Sequence, residues 1–318
     1  MAASVPFFLS SLLWFCWAAP CYNLATPRPG ILGPPTPLRE LNVGESVQAF
    51  RTLGDGSQRH IRLERLSIGT PDVFVLRDFL APEECHELVT AVEAQGMAEA
   101  QTVSGDEAAS RPRCRVAWLP SGHDSTTRAL AQTAGSLLLT TEAQSEPGVG
   151  CEDLQVLRYE AGGEYVLHHD GPPRCLTVIY YLNGVAGTWF PFASSGPASE
   201  SHAEPFVPRN RESALELARS RVPGVDGLLV GGSGSHGGGG GGGGDEGCAI
   251  GVGDAIAFYN FLDDGSGEIN WKALHAGLPS SGTKWIANHW FHAGSLKNLD
   301  ALAAPASSVP DGRGAARA

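Results

Sequence analysis

The chain has 318 residues, of which 42% are hydrophobic and 18% are charged, and its formal net charge is −12. This length and apolar content are sufficient for one large domain or two small ones with a packed core. The negative charge argues against a nucleic-acid partner, because phosphate binding requires a basic face. The 41 glycines predict that part of the chain lies outside any packed core.

The first 22 residues have the pattern of a signal peptide. The apolar run from Val5 to Ala19 has the length of a signal-peptide core and is short for a membrane span. No basic residue precedes Arg28, so an uncleaved N-terminal membrane anchor remains the alternative. Either interpretation places the chain in the secretory pathway. The expected location is the lumen or membrane of the endoplasmic reticulum, with secretion as a second destination.

A proline-rich linker and lead-in is predicted over residues 23–65, followed by a folded domain over residues 66–297. The domain opens with a strand at 72–79 and a helix that begins at Pro82, because proline suits the first helical turn, and stops at Gly96. Residues 97–113 are mostly polar and predict a loop. A short strand at 115–119 and a second helix, from Asp124 to Leu138, follow.

From residue 154 onward, short strands separated by Gly and Pro predict a sandwich or barrel. The expected fold class is therefore mainly β with flanking helices (α+β). The predicted strands are 154–159, 176–183, 187–192, 255–261 and 284–291.

Residues 194–246 interrupt this pattern. They contain a segment with helical character at 209–222 and a glycine-rich run, Gly231 to Gly244. A glycine run cannot bury enough apolar area to offset its chain entropy, so we expect this run to be disordered. The insertion as a whole is expected to leave the barrel between two strands without disturbing the ligands. A disordered tail is expected over residues 298–318.

The seven cysteines contain no Cys-x-x-Cys pair, which argues against a structural zinc site. In an oxidising lumen some of them could form disulfides, but their connectivity cannot be read from the sequence.

A metal-binding pattern lies at His168-His169-Asp170. On an extended segment, residues two apart project to the same side, so His168 and Asp170 would face one point. An imidazole and a carboxylate are two of the three ligands in the facial triad that holds Fe(II). His275 is the candidate for the second histidine. Lys284, nine positions later at the head of a predicted strand, could pair with the far carboxylate of a dicarboxylate co-substrate.

At these residues the chain resembles the Fe(II)- and 2-oxoglutarate-dependent prolyl hydroxylases, most closely the catalytic domain of the prolyl 4-hydroxylase alpha subunit. The resemblance covers roughly residues 66–292 apart from the insertion, with the pieces in the family's order. It implies a double-stranded β-helix, or jelly-roll, core. The matching segments are DVFVLRDFLAPEECHELV (72–89), YEAGGEYVLHHD (159–170), RCLTVIYYLN (174–183), AGTWFP (186–191), GDAIAFY (253–259) and residues 275–290.

The resemblance also implies roles for individual residues. His168, Asp170 and His275 would bind Fe(II), and Lys284 would bind 2-oxoglutarate with help from the hydroxyls of Tyr159 and Thr188. Three further residues fall where the family meets its peptide substrate, namely Tyr165, Arg174 and Trp290.

The implied activity is hydroxylation of peptidyl proline, at carbon 4, with O2 as co-substrate, ascorbate as a further cofactor, and succinate and CO2 as products. The alternatives are a 2-oxoglutarate-dependent hydroxylase acting on another residue or substrate, and a secreted binding module without catalysis. The sequence does not indicate the identity of the protein substrate, whether carbon 3 or carbon 4 is hydroxylated, or the oligomeric state.

Overall fold

The computed structural model describes residues 33–100, 113–122, 124–139, 146–193, 208–231 and 248–294. The predicted signal peptide or anchor, residues 232–244 of the glycine run and the predicted C-terminal tail lie outside these ranges. Among the described residues, no helix combines the length and the apolar character needed to cross a bilayer.

Two antiparallel sheets form the core of the described residues, and the predicted fold class, mainly β with flanking helices, is confirmed. The large sheet has nine strands in the order β1-β2-β3-β11-β8-β13-β6-β5-β4, and the small sheet has four in the order β10-β9-β12-β7. The strands are β1 Ser46–Thr52, β2 Gln58–Ser67, β3 Val73–Arg77, β4 Ala98–Glu99, β5 Cys114–Leu119, β6 Leu154–Tyr159, β7 Tyr165–His168, β8 Arg174–Tyr181, β9 Thr188–Phe190, β10 Leu228–Val230, β11 Ala255–Tyr259, β12 His275–Gly277 and β13 Lys284–His292.

Strand alternation divides the large sheet into two buried faces. On β8, Ile179 and Tyr181 belong to the apolar core between the two sheets, together with Phe190 and Val230 of the small sheet. The intervening Tyr180 belongs to the core on the other face of the large sheet, where the helices pack. Burial on both faces explains why β8 reads as a nearly continuous apolar run.

The two predicted helices are confirmed. The described helices are α1 Thr36–Arg39, α2 Pro82–Gln95, α3 Ser125–Leu138 and α4 Arg211–Ala218, with a 3-10 turn at Trp271–Ala273. Helix α2 ends before Gly96, whose φ of 87° is accessible to glycine. Helix α3 begins after Asp124, whose carboxylate accepts a 2.7 Å hydrogen bond from the Thr127 amide, and its Leu130 and Leu138 enter the core on the outer face of the large sheet.

The lead-in predicted for residues 38–65 contains a β-hairpin that the sequence analysis did not identify. Strand β1 pairs with β2 along its whole length, and β2 pairs with β3, so the hairpin extends the large sheet at one edge. Arg51 anchors this hairpin from within. Its buried guanidinium donates two 2.7 Å hydrogen bonds to Glu84 of α2. In β1 the polar Arg51 is buried and the apolar Phe50 is 52% exposed, which is why this strand lacks a clear apolar pattern.

Part of the segment predicted as an insertion is a strand of the small sheet. Leu228, Leu229 and Val230 pair with Phe190, Trp189 and Thr188, and the Leu228 and Val230 side chains are buried between the sheets. A strand of three residues is too short to show a period of two, so sequence patterning did not identify it. Within the segment predicted to have helical character, 209–222, the helix α4 occupies Arg211–Ala218 and packs through Ala214 and Ala218. Similarly, Ala98–Glu99 within the predicted loop pairs with β5.

Five of the seven cysteines lie in the described ranges, and they form no disulfide with one another.

Candidate metal centre

The facing edges of two short strands bring together the donor set predicted from the sequence. His275, the first residue of β12, pairs directly with His168, the last residue of β7. Asp170 follows two residues after His168. The ligand atoms of these three side chains all lie within 4.8 Å of one another. This is a spacing at which one metal ion can contact all three.

Both imidazoles have a fixed orientation. The Nδ1 atom of His168 lies 3.0 Å from the carbonyl oxygen of Val166, and the Nδ1 atom of His275 lies 3.1 Å from that of Ala273. Because a carbonyl can only accept, each Nδ1 must carry the proton and each Nε2 has a free lone pair. The two Nε2 atoms point to Asp170, at 3.6 Å and 3.9 Å from its carboxylate oxygens.

Electrostatics favour the protonation states that a metal requires. Burial and the nearby His168 lower the pKa of His275 to about 3, so its imidazole is neutral at neutral pH. Burial acts to raise the pKa of Asp170, but the neighbouring His275 and His168 outweigh it and hold the pKa well below its usual value. At neutral pH the site therefore presents one carboxylate and the His275 lone pair.

Two residues that the sequence analysis missed orient the carboxylate. Thr177 on β8 donates a 2.5 Å hydrogen bond to Oδ2 of Asp170, and the Asn260 amide donates a 3.0 Å hydrogen bond to the Thr177 hydroxyl. Both Thr177 and Asn260 are buried. The only sequence signal is that two polar residues occur within or directly after otherwise apolar strands, which does not show where they point.

Lys284 lines the same cavity as His168 and His275. Its side chain is 2% exposed, and its ammonium donates a 2.7 Å hydrogen bond to the carbonyl oxygen of Leu278. No carboxylate of the described residues lies within ion-pair distance of it. Burial lowers the pKa of Lys284 to about 8, so at neutral pH it is a buried cation that an anion would stabilise.

The predicted helpers of Lys284 also line this cavity. Tyr159 pairs with Lys284 across β6 and β13, and its ring centroid lies 4.6 Å from the ammonium. Thr188 of the small sheet is within hydrogen-bond distance, 2.8 Å, of the Tyr181 hydroxyl. Tyr181 is a further polar residue of the cavity that the sequence analysis did not assign.

The three residues predicted to contact substrate lie at different points around the metal centre. Tyr165 lines the cavity and its ring packs against His168 at 3.9 Å between centroids. Arg174 stacks on Trp290 at 3.8 Å from the ring centroid and donates two hydrogen bonds, of 2.6 and 2.8 Å, to Glu152. The Nε1 atom of Trp290 is buried and has no hydrogen-bond partner among the residues that the structure describes. Their substrate-binding role stays a prediction.

The residues present fit a metal ion and an anionic co-substrate. Two imidazole nitrogens and one carboxylate are the facial donor set typical of non-haem Fe(II), and they leave other coordination positions open. The cavity between this donor set and Lys284 has apolar walls that include Ile179 and Ile286. A dicarboxylate with one end at the metal and the other at Lys284 would satisfy both groups.

Comparison with known proteins gives related sequences. No protein-family model matches the chain. A mouse transmembrane prolyl 4-hydroxylase is 28% identical over 184 residues, 48% of this chain and 31% of the relative. A probable prolyl 4-hydroxylase 8 from Arabidopsis thaliana is 25% identical over 239 residues, 70% of this chain and 69% of the relative. A putative prolyl 4-hydroxylase of Acanthamoeba polyphaga mimivirus is 24% identical over 270 residues, 77% and 86% of the two chains. The chain is related to the prolyl 4-hydroxylases.

The alignment covers these prolyl 4-hydroxylases to different extents, and it spans about a third of the mouse protein. Among solved structures, a viral collagen prolyl hydroxylase from Paramecium bursaria Chlorella virus-1, in complex with 2-oxoglutarate, aligns with a TM-score of 0.42 and 21% identity over 70% of this chain and 96% of that chain. A Trichoplax adhaerens prolyl hydroxylase in complex with a hypoxia-inducible-factor peptide aligns with a TM-score of 0.43 and 15% identity over 73% and 87%.

Proposed function

We propose that the protein is an Fe(II)- and 2-oxoglutarate-dependent dioxygenase that hydroxylates peptidyl proline, at carbon 4. The observation that carries the proposal is that the donor atoms of His168, Asp170 and His275 converge, and that both histidines line a cavity that Lys284 also lines. Lys284 is a buried cation there and makes no ion pair with any described residue. The relation to proteins named prolyl 4-hydroxylases supports proline as the target.

In this proposal, His168, Asp170 and His275 hold Fe(II), and Lys284 pairs with the distal carboxylate of 2-oxoglutarate. The hydroxyls of Tyr159 and Thr188 add hydrogen bonds to that carboxylate. When bound, the metal and 2-oxoglutarate supply the oxidation of an unactivated C–H bond by O2, with release of succinate and CO2.

The protein's own residues supply orientation and exclusion of water. Thr177 and Asn260 fix the Asp170 carboxylate, and backbone carbonyls fix both imidazoles. Phe258 packs edge-on against His275, with ring centroids 4.6 Å apart, and shields that side of the imidazole from water. These contacts hold the donors in place before any ligand arrives, which lowers the reorganisation needed for reaction.

At the peptide side, we propose that Arg174 and Trp290 receive the substrate backbone, with Tyr165 nearby. Of this pair, Arg174 is the residue that solvent reaches, with a side chain 26% exposed, and Trp290 is buried against it. Arg174 stacks on Trp290 and donates two hydrogen bonds to Glu152, and these contacts hold its side chain in a fixed position. We further propose ascorbate as the reductant that maintains ferrous iron, and a location in the endoplasmic reticulum lumen or membrane through the N-terminal segment.

The test is turnover of 2-oxoglutarate by the protein with Fe(II), ascorbate and a panel of proline-containing peptides, with succinate and peptide mass measured together. We expect a gain of one oxygen on proline, lost in His168→Ala and His275→Ala. The matched control is His86→Ala, which changes an exposed histidine of α2 and should leave turnover unchanged. Release of succinate without oxidation of any peptide would keep the 2-oxoglutarate chemistry and reject these proline peptides as substrates. No succinate from folded, iron-loaded protein would reject the enzyme in favour of a binding module.

A further inference from the structure

A second concave surface lies at the metal end of the sheets. We call it the 70/272 groove, and its walls come from three connections, the β2–β3 turn, the segment before α4 and the β11–β12 connection. Residues that line it include Thr70, Pro208, Arg209, Leu262, Trp271 and Lys272. The groove is distinct from the cavity of Lys284, with which it shares no lining residue.

Hydrogen bonds connect this groove to the metal ligands. Asn270, which lines the groove, donates its backbone amide to the carbonyl oxygen of Asn260 at 2.9 Å. Asn260 in turn reaches Asp170 through Thr177. Three hydrogen bonds therefore link Asn270, in the wall of the groove, to the Asp170 carboxylate.

A second link between the groove and the metal centre runs through His169, which lies between His168 and Asp170 in the chain. His169 lies with Nε2 at 3.1 Å from the carbonyl oxygen of Asn270, and its ring packs on Trp271 at 5.1 Å. The wall of the groove is thus held against the segment that carries His168 and Asp170. This contact fixes where the groove lies relative to the ligands.

The groove carries positive charge without partners. Arg209 and Lys272 line it, and neither makes an ion pair with any described residue. Lys272 is half-buried, and burial, with the charge of the nearby Arg221, lowers its pKa. Glu268 is the one carboxylate among the described lining residues, and it is exposed. In a chain with a net charge of −12, two groove cations that make no ion pair with any described residue favour an anionic occupant of the groove.

We propose that the 70/272 groove binds an acidic segment of the protein substrate that flanks the hydroxylated residue. Carboxylates of that segment would pair with Arg209 and Lys272, while its apolar atoms would pack on Leu262 and Trp271. This inference rests on the proposed function, because it assigns the groove to the substrate of the same metal centre. It adds a sequence preference that the metal ligands and Lys284 cannot provide.

The test compares two peptides with the same central proline, one flanked by Asp and Glu and the other by Asn and Gln at the same positions. Binding of fluorescently labelled peptides is measured by anisotropy, with the full chain loaded with Mn(II) and 2-oxoglutarate, so that the result does not depend on turnover. We expect the acidic peptide to bind roughly three- to tenfold more tightly, since two partly exposed ion pairs contribute modestly. This preference should decline as salt is raised.

The variant Arg209→Gln/Lys272→Gln should lose this preference while binding of the neutral peptide stays the same. The matched control, Arg59→Gln/Arg62→Gln, removes the same charge from β2 and should keep the preference. The reversed variant Lys272→Glu should favour a peptide with Lys and Arg flanks. Circular dichroism and thermal melting verify that each variant is folded, and the salt dependence of the unmodified protein supplies evidence that needs no variant.

Equal affinity for the acidic and neutral peptides would overturn the proposal, and so would a preference that survives in the double variant. Displacement of the acidic peptide by free N-acetylglutamate, at a concentration similar to that of the peptide, would also overturn the proposal, because the groove would then bind any small anion. The proposed function is judged separately. Proline hydroxylation without a preference for acidic flanks rejects only the proposed role of the groove. A preference for acidic flanks without oxidation of the peptide rejects only the proposed hydroxylase activity.

Discussion

Substitution of Lys284 should have a direct effect on the binding of 2-oxoglutarate. Lys284→Met keeps an unbranched apolar side chain but removes the charge, so a bound carboxylate would lose its partner. We expect affinity for 2-oxoglutarate to fall about 10–100-fold, as for loss of a charged hydrogen bond. Calorimetric titration of 2-oxoglutarate into Mn(II)-loaded protein measures this. Metal affinity should stay unchanged, and an unaltered 2-oxoglutarate affinity would contradict the assignment.

The pH dependence of co-substrate binding follows from the same side chain. Burial lowers the pKa of Lys284 to about 8. Below that pH the ammonium is charged and can pair with a carboxylate, and above it the amine is neutral. The KM for 2-oxoglutarate should therefore be flat near neutrality and rise above about pH 8, by up to tenfold per pH unit. A KM that stays constant to pH 9.5 would show that Lys284 does not bind the co-substrate.

Thr177 tests whether the orientation of Asp170 matters. Thr177→Val preserves shape but removes the hydrogen bonds to Asp170 and from Asn260. We expect metal affinity to fall roughly 10–100-fold, as for loss of other groups that orient ligands. Mn(II) titration followed by calorimetry or paramagnetic relaxation measures the change. Thr133→Val, at a buried threonine of α3, is the control and should bind metal normally.

At the scale of elements, the turn into β11 depends on a glycine. Gly253 has a φ of +82°, and an added Cβ would lie 2.2 Å from the carbonyl oxygen of Leu80. Gly253→Ala should therefore cost about 2–4 kcal/mol of unfolding free energy, from the left-handed backbone and the steric clash together. Gly265→Ala is the matched control, because its φ is +78° but no atom lies within 4 Å of the added Cβ. Chemical denaturation of both variants should show a larger loss at Gly253, and equal losses would remove the steric explanation.

Strand pairing also explains the geometry of the site. His168 and His275 are 107 positions apart in the sequence, but antiparallel pairing of β7 with β12 places them side by side. Pairing of β6 with β13 likewise places Tyr159 opposite Lys284. The first pair lies in the small sheet and the second in the large sheet, so residues of both sheets line the Lys284 cavity.

At the scale of the whole molecule, residues 232–247 can be tested for a contribution to the site. The residues on either side are already joined, because the amide of Gly231 donates a 2.7 Å hydrogen bond to the carbonyl oxygen of Cys248. Replacing residues 232–247 by an eight-residue Gly-Ser linker should leave turnover unchanged and unfolding free energy within about 1 kcal/mol. Succinate release and thermal melting measure both. Loss of turnover in a folded variant would show that the segment contributes to function.

Sequence patterning predicted the two long helices and the main strands because each has a clear start signal or a long apolar run. It missed the β1–β2 hairpin, because the buried Arg51 and the exposed Phe50 break the apolar alternation of β1, and β10, which has only three residues. The domain boundaries at 66 and 297 and the roles of Tyr165, Arg174 and Trp290 stay predictions. The described cysteines form no disulfides among themselves, so the bridges considered from the sequence do not occur there.

The sequence by itself determined the candidate donors, since His168, Asp170, His275 and Lys284 are recognised by residue type, spacing and resemblance. Only the tertiary structure decided that the first three converge and that Lys284 is a buried cation across one cavity, because strand register sets distances between residues far apart in the chain. It alone also identified Thr177, Asn260 and Tyr181, since the face to which a residue in an apolar strand points depends on the sheets that cover it. The 70/272 groove likewise follows from three connections that meet only in the folded chain.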